Sequence, residues 1–348
     1  AANAARAGAV AARAVATFLI LLALSASFAA IMMPLLLSAF PTPEAAVAAF
    51  TSAAQEGDEA IAVPNFGSFI GSLLPSNVVS AAAANNILNL VAFTTIFAFA
   101  MTRLPDASRL PLATFFRSLG EAMLVVINWM LVLAPIGVFA LGYAVAVKTG
   151  LAALGGLAHY VALVSSIGIA LTLVAYGFAF LVARLKPMVY SRAVLAPQAV
   201  AISTQSSLAS LPAMLKASEA VGVPAARADV ILPLAVALFR FTGPAMNLAV
   251  AIYVAHLFGV ELDAATLTIG VMVATMTSLA SVSLPGTISF ITAISPIAVA
   301  MGVPIAPLAI LVAVEQIPDI FRTLGNVTMD VAVTAAIDKS VPDEETPP

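Results

Sequence analysis

The sequence has no cysteine, one tryptophan and two histidines among 348 residues, and only 9% of its residues are charged. Without cysteine there is no disulfide framework, no iron–sulfur ligation and no thiol nucleophile. His159 and His256, with no thiolate to join them, argue against a structural zinc site. No basic patch interleaved with aromatics is present, which argues against nucleic acid as a partner. The net charge of −3 is too small to name one. A soluble domain carries roughly 25% charged residues, so this chain cannot clothe itself for water. What it has instead is apolar: 62% hydrophobic residues and a mean hydropathy of +1.10. Several runs exceed the roughly 20 residues that a helix needs to cross a bilayer. The expected fold class is an all-α membrane protein with no cofactor.

Arg6 and Arg13 precede a first span from about Ala14 to Phe40, too long for a signal-peptide core and read as a retained helix. It ends at Pro41-Thr42-Pro43, and an acidic loop follows with Glu44, Glu56, Asp58 and Glu59. Residues 67–102 hold two shorter apolar pieces, interrupted at Pro75-Ser76-Asn77 and at Asn85-Asn86. Spans are expected at about 120–147 and 158–183, with Lys148 and Gly150 between them. Arg103, Arg109 and Arg117 mark one basic loop, and Arg184, Lys186 and Arg192 another. Lysine and arginine in short loops mark the cytoplasmic side, which places the N-terminus and both basic loops inside and residues 41–66 outside.

Beyond residue 190 simple counting of spans fails. Segment 194–217 is cut at Ser203-Thr204-Gln205-Ser206-Ser207 and Pro212, and segment 265–301 is cut around Ser278 to Gly286. The breaks resemble each other: Ser207-Leu208-Ala209-Ser210-Leu211-Pro212, and Ser278-Leu279-Ala280-Ser281-Val282-Ser283-Leu284-Pro285. Each leads into an apolar helix and then a polar stretch, Phe239 to Asn247 after the first and Glu315 to Asp330 after the second. Irregular backbone at membrane depth is tolerated only where protein or a watery cavity satisfies it, and paired interruptions point to a transported solute. Kinked crossing helices are the plainer reading; the repetition weighs against it.

The last helix carries Glu315, Asp319, Arg322, Thr323, Asn326 and Asp330. At helical spacing all six fall within about 100° of arc on an otherwise apolar helix. Charges at mid-bilayer cost roughly 2.5–3.5 kcal/mol each on insertion scales, so the stripe faces a site or a pathway rather than lipid. A structural ion-pair ladder would leave the two hairpins unexplained. Arg322 offers a planar fork for a carboxylate, and Asp319 can hold Arg322 or accept from a substrate ammonium. Gly243-Pro244 is expected to break the preceding helix and free carbonyls near Arg240. Arg240 needs a carboxylate: Asp330, Glu315 or one on a substrate. Glu121, His159 and His256 read as interfacial or structural.

Those residues resemble the glutamate transporter family of dicarboxylate and acidic amino-acid:cation symporters, over about Ala14 to Asp338. The carriers of the resemblance are Ser206-Ser207-Leu208-Ala209-Ser210-Leu211-Pro212, Leu284-Pro285-Gly286, and Asp319-x-x-Arg322-Thr323-x-x-Asn326-Val327-Thr328-x-Asp330. Pro75-Ser76-Asn77 followed by Asn85-Asn86-Ile87-Leu88 is similar to the family's fourth-helix region. The resemblance implies an elevator-type homotrimer with an inverted hairpin-plus-helix repeat, in a bacterial inner membrane, with both termini cytoplasmic. It divides the chain into residues 1–40, the first transport-domain helix; 41–66, an extracellular loop; 67–157, scaffold and trimerisation helices; 158–340, the transport core; and 341–348, a cytoplasmic tail. Within the core it expects hairpin one at about 194–217, a broken helix at 228–258, hairpin two at about 265–301 and the charged helix at 304–338. It implies that Arg322 pairs with a side-chain carboxylate and Asp319 with an α-amino group. Ser206, Ser207, Thr287, Thr323 and Asn326 would complete the site, and Ser283, Leu284, Pro285 and Gly286 the gate.

Two departures qualify the resemblance. The family opens with two helices ahead of the first span here, so the chain reads as truncated at its N-terminus. The family's cation-binding Asn-Met-Asp-Gly aligns with Phe239-Arg240-Phe241-Thr242, which exchanges sodium ligands for phenylalanines. Arg240 is therefore expected to stand in for a coupling cation and neutralise Asp330, leaving protons to couple through Glu315 or Asp319. If a sodium site survives, Asn326, Asp330 and Ser278 would form it. The expected function is secondary active transport of an acidic amino acid of the glutamate or aspartate type, with a C4-dicarboxylate held by Arg240 and Arg322 as the alternative and an anion channel as a remote one. An intramembrane hydrolase lacks a suitably placed base.

Overall fold

The apolar runs fold as helices in the computed structural model, which describes residues 2–44, 47, 77–84, 87–280 and 286–340. No strand occurs among the described residues. In chain order the described helices are α1 (Ala2–Ala39), α2 (Val78–Ala83), α3 (Ile87–Met101), α4 (Asp106–Leu181), α5 (Pro187–Thr204), α6 (Ser207–Ala220), α7 (Ala225–Leu238), α8 (Thr242–Leu257), α9 (Ala264–Ala280), α10 (Gly286–Ala300), α11 (Leu308–Leu311) and α12 (Gln316–Ser340). Three stretches among them are long and apolar enough to cross a membrane: Val10–Ala39, Leu154–Leu181 and Ala225–Leu257.

The expected division at Lys148 and Gly150 does not occur, because α4 runs unbroken from Asp106 to Leu181. Its middle is rich in alanine and leucine and free of proline between Lys148 and Gly156. Glycine inside a helix costs only about 1 kcal/mol and does not end it. Arg109 and Arg117, assigned to a loop from the sequence, lie on α4, where Arg109 pairs with Asp106. Asn77 caps α2, its side chain accepting from the N–H groups of Val79 and Ser80. Much of loop 41–66, residues 67–76, Asn85-Asn86 and the tail 341–348 lie outside the described residues.

The order of hairpin followed by interrupted helix occurs twice. Helices α5 and α6 pack together as hairpin one and lead into α7 and α8, interrupted at Phe239–Phe241. Helices α9 and α10 pack as the second pair and lead into α11 and α12, with a turn over Val312–Glu315. The charged helix expected over 304–338 is thus two pieces, and Glu315 belongs to the turn before α12. Helix α8 sits at the centre, against α1, α4, α9 and α10, and α12 lies against α4, α5 and α6. Every residue of α8 except His256 is buried.

One contact sets how closely these elements approach. A Cβ on Gly325 of α12 would stand 2.5 Å from Cγ2 of Thr242 and 3.1 Å from Oγ1 of Thr172. Gly325→Ala should therefore force α12 away from α8 and α4 and cost about 1–3 kcal/mol, the usual range for overpacking. A thermal-unfolding midpoint equal to that of the parent protein would show that the helices yield freely there.

Candidate functional site

Both interruptions and the tip of hairpin one converge on the first turns of α12. Helix α5 ends where Gln205 turns left-handed, with φ at 52°, and Ser206 caps α6 by accepting from the N–H of Ala209 at 3.2 Å. Gln205 Nε2 reaches across the tip to donate to the carbonyl of Gln316 at 3.1 Å. That bond ties the first hairpin to the first residue of α12, next to Glu315. Ser207 and Ser210 are buried behind the tip, and Ser206 is half-buried.

The break between α7 and α8 lies at Phe239–Phe241 rather than at Gly243-Pro244. Pro244 falls in the first turn of α8, where a missing N–H leaves no bond unmade. The carbonyl of Phe241, expected to be free, accepts from Ser25 Oγ of α1 at 2.5 Å. The Thr242 N–H donates to Asn326 Oδ1 at 2.9 Å, and the Thr242 hydroxyl lies 2.9 Å from the same oxygen and 2.8 Å from the Arg322 carbonyl. Phe239 stacks on Phe18 with ring centres 4.6 Å apart. Gly243 lets Ser278 of α9 close on the break, since a Cβ there would stand 2.9 Å from the Ser278 hydroxyl.

Arg322 is the hub. Its Nη1 donates to Asn247 Oδ1 at 2.6 Å, its Nη2 pairs with Glu315, and its Nε lies 3.3 Å from Asp319 Oδ1. Glu315 has no exposed surface, and its second oxygen accepts from the Tyr160 phenol at 2.8 Å. Arg240, also buried, feels the charges of Arg322 and Asp319 across the break. Two carboxylates and two guanidinium groups therefore share one buried cluster, balanced in formal charge. Thr323 donates back to the Asp319 carbonyl at 3.0 Å within its own helix.

Asp330 stands apart from this cluster. It is fully buried, and neither of its oxygens has a hydrogen-bond partner among the described residues. The expected pairing with Arg240 is not made. Asp330 lies eleven residues beyond Asp319, about 16 Å along the helix, while Arg240 faces the Asp319 end. Ser283, Leu284 and Pro285 lie outside the described residues; Gly286 opens α10, and the side chain of Thr287 is likewise outside the description. Among the described residues no group of three or more acidic or histidine side chains could hold a metal ion.

Tyr160 and Thr242 join the site without having been singled out for it, and Asn247, which ends the polar stretch from Phe239, joins it as a partner of Arg322. Asn247 carries its signal as an amide inside the apolar run Pro244-Ala245-Met246-Asn247-Leu248-Ala249. Tyr160 carries none, since tyrosine is common in membrane helices. Its neighbour His159 bridges the Tyr253 hydroxyl and the Phe40 carbonyl, the structural role expected of it, and Glu121 and His256 are exposed.

Against known proteins, the sequence pattern described as "Sodium:dicarboxylate symporter family" matches residues 1–340. The chain is similar to the "Proton/glutamate-aspartate symporter" of Escherichia coli (strain K12), with 30% identity over 269 residues, 77% of this chain and 61% of that protein. It is similar to the "Proton/sodium-glutamate symport protein" of Bacillus subtilis (strain 168), with 26% identity over 77% of this chain and 62% of that one. The "C4-dicarboxylate transport protein" of Laribacter hongkongensis (strain HLHK9) is 26% identical over 78% of this chain and 61% of its own length. The chain matches about three fifths of the length of these relatives.

Proposed function

The chain belongs to the sodium:dicarboxylate symporter family, and from that premise we propose that it is a secondary carrier for an acidic amino acid of the glutamate or aspartate type, coupled to protons rather than sodium. The observation that carries this reading is Arg322, a buried fork at the meeting of hairpin one, the broken helix and α12. Arg322 takes the side-chain carboxylate of the solute and Asp319 its ammonium group. Ser206, Ser207, Thr323 and Asn326 line the place, and the second hairpin closes over it. The transport core is built from the first helix and α5 to α12, working as an elevator within a homotrimer. The membrane is a bacterial inner membrane with the termini on its cytoplasmic side. The names of the Escherichia coli and Bacillus subtilis relatives support the substrate class.

Coupling follows from what occupies the cation region. The phenylalanine side chains at 239 and 241 offer no oxygen ligand, the backbone carbonyl of Phe241 is held by Ser25, and the side-chain Oδ1 of Asn326 is held by Thr242. Glu315 carries the proton instead. Ionised, it holds Arg322; protonated, it keeps its bond to Tyr160 and releases the fork to the carboxylate of the solute. In proteoliposomes, uptake of labelled aspartate at fixed pH and membrane potential should not change when sodium is replaced by choline. A fivefold or greater dependence on sodium would sink the proton reading.

A second reading is a C4-dicarboxylate carrier. Arg240 is buried and feels the charge of Arg322, so a second guanidinium is at hand for a second carboxylate, and one relative bears that name. Competition of unlabelled aspartate against succinate in a single uptake assay separates the two, the better competitor naming the class.

A further inference from the structure

A second charged site lies at the far end of the bundle from the Gln205 tip, where α4 ends, α5 begins and α12 finishes. A cavity of about 220 Å³ opens there, lined by Arg184, Leu185, Lys186, Val189, Val221 and Lys339. Among the described residues, three of the six that line it are basic and none is acidic. The nearest carboxylate on α12, Asp338, is taken by Arg227 at 2.7 Å. The cavity has a fixed frame. Lys339 Nζ donates to the Ala183 carbonyl at 2.7 Å and clamps the end of α12 onto the end of α4. Arg184 is held at φ 49°, in the left-handed region that a side chain seldom adopts. Lys186 precedes α5 without a side-chain cap, so the positive end of that helix opens toward the same space.

Position and surroundings name the ligand. The membrane-crossing stretch of α4 ends at Leu181, three residues before Arg184, which puts the cavity at headgroup level. The chain on both sides of the basic residues is apolar and bare: Leu181 is 80% exposed, Met188 64% and Leu195 61%. A free anion needs only the cations; a phospholipid uses the cations for its phosphate and the bare apolar faces for its acyl chains. Basic pockets between membrane helices are suited to anionic headgroups.

We propose that this cavity binds the phosphate of an anionic phospholipid, with the acyl chains lying along Leu181, Met188 and Leu195. The site is separate from Arg322 and does not depend on which solute is carried. The test uses the purified full chain in an uncharged detergent, titrated with phosphatidylglycerol, phosphatidylcholine or inorganic phosphate, with retained lipid read by native mass spectrometry. Phosphatidylglycerol should be retained in preference to phosphatidylcholine, and inorganic phosphate should not displace it. Arg184→Gln and Lys186→Gln should each weaken retention about fivefold, while Arg184→Lys should keep most of it. Equal retention of both lipids, or unchanged retention in the Arg184→Gln, Lys186→Gln double variant, overturns the proposal. Displacement by inorganic phosphate would make it a free-anion site, and retention seen only after residues 341–348 are removed would assign the cavity to the acidic tail; either result overturns it too.

Discussion

Arg322→Lys is expected to weaken binding of aspartate to the purified protein by about a hundredfold or more, with the fold intact. The substitution keeps the positive charge, so the balance of two acids and two bases in the cluster is unchanged. What it removes is the fork. Arg322 serves Asn247 at 2.6 Å, Glu315 and Asp319 in three directions at once. An ammonium is a compact point charge that cannot present parallel donors to a carboxylate while keeping its neighbours satisfied. Hydrogen bonds to a charged group are worth about 1.5–3 kcal/mol each, and each 1.4 kcal/mol is tenfold in affinity. Titration calorimetry with aspartate measures the loss, and a thermal-unfolding midpoint near that of the parent certifies the fold. An affinity within threefold of the parent would remove Arg322 from the site.

The sequence shows the parts of this site that local chemistry dictates and hides those that depend on distant contacts. Hairpin one is legible because its tip is built from neighbours: Gln205 turns left-handed and Ser206 caps the next helix three residues on. The polar stripe of α12 is legible because helical spacing puts Asp319, Arg322 and Asn326 on one face. The sequence points to a break at Gly243-Pro244 rather than at Phe239–Phe241, since proline reads as a breaker wherever it stands, while a proline in the first turn opens a helix. The Arg240–Asp330 pairing is not made for a geometric reason: both charges lie in apolar stretches of the sequence, yet α12 carries Asp330 away from the break. The partners of Arg322 and Glu315 were out of reach altogether. Asn247 meets Arg322 across 75 residues and Tyr160 meets Glu315 across 155, and no local pattern encodes either contact. The unbroken α4 shows the converse, that a lysine and a glycine in an alanine-rich stretch do not oblige the chain to turn.

Glu315→Gln is expected to abolish accumulation driven by a pH gradient while tightening the binding of the solute. Glutamine preserves the shape of the side chain: its amide oxygen can accept from Arg322 while its NH2 donates to the Tyr160 hydroxyl oxygen, so the packing of the turn before α12 survives. It cannot take or release a proton, and it carries no charge to hold the guanidinium. A neutral amide lacks the charge attraction that the ionised carboxylate adds to its bond with the guanidinium, a difference of about 0.5–2 kcal/mol. The solute carboxylate therefore meets a weaker competitor, and its affinity should rise by roughly two- to thirtyfold. Its binding should also lose its dependence on pH, because the group that must be neutralised before Arg322 is released is gone. Exchange of labelled for unlabelled solute across the proteoliposome membrane should persist, since that cycle never returns the empty carrier. Net uptake against a gradient, driven by acid outside, should fall to background. The paired outcome separates a proton carrier from a merely structural acid: a structural role predicts weaker binding and lost exchange together. Acid-driven accumulation that survives in the variant would move the proton elsewhere, with Asp319, 3.3 Å from the same guanidinium, the next group to test.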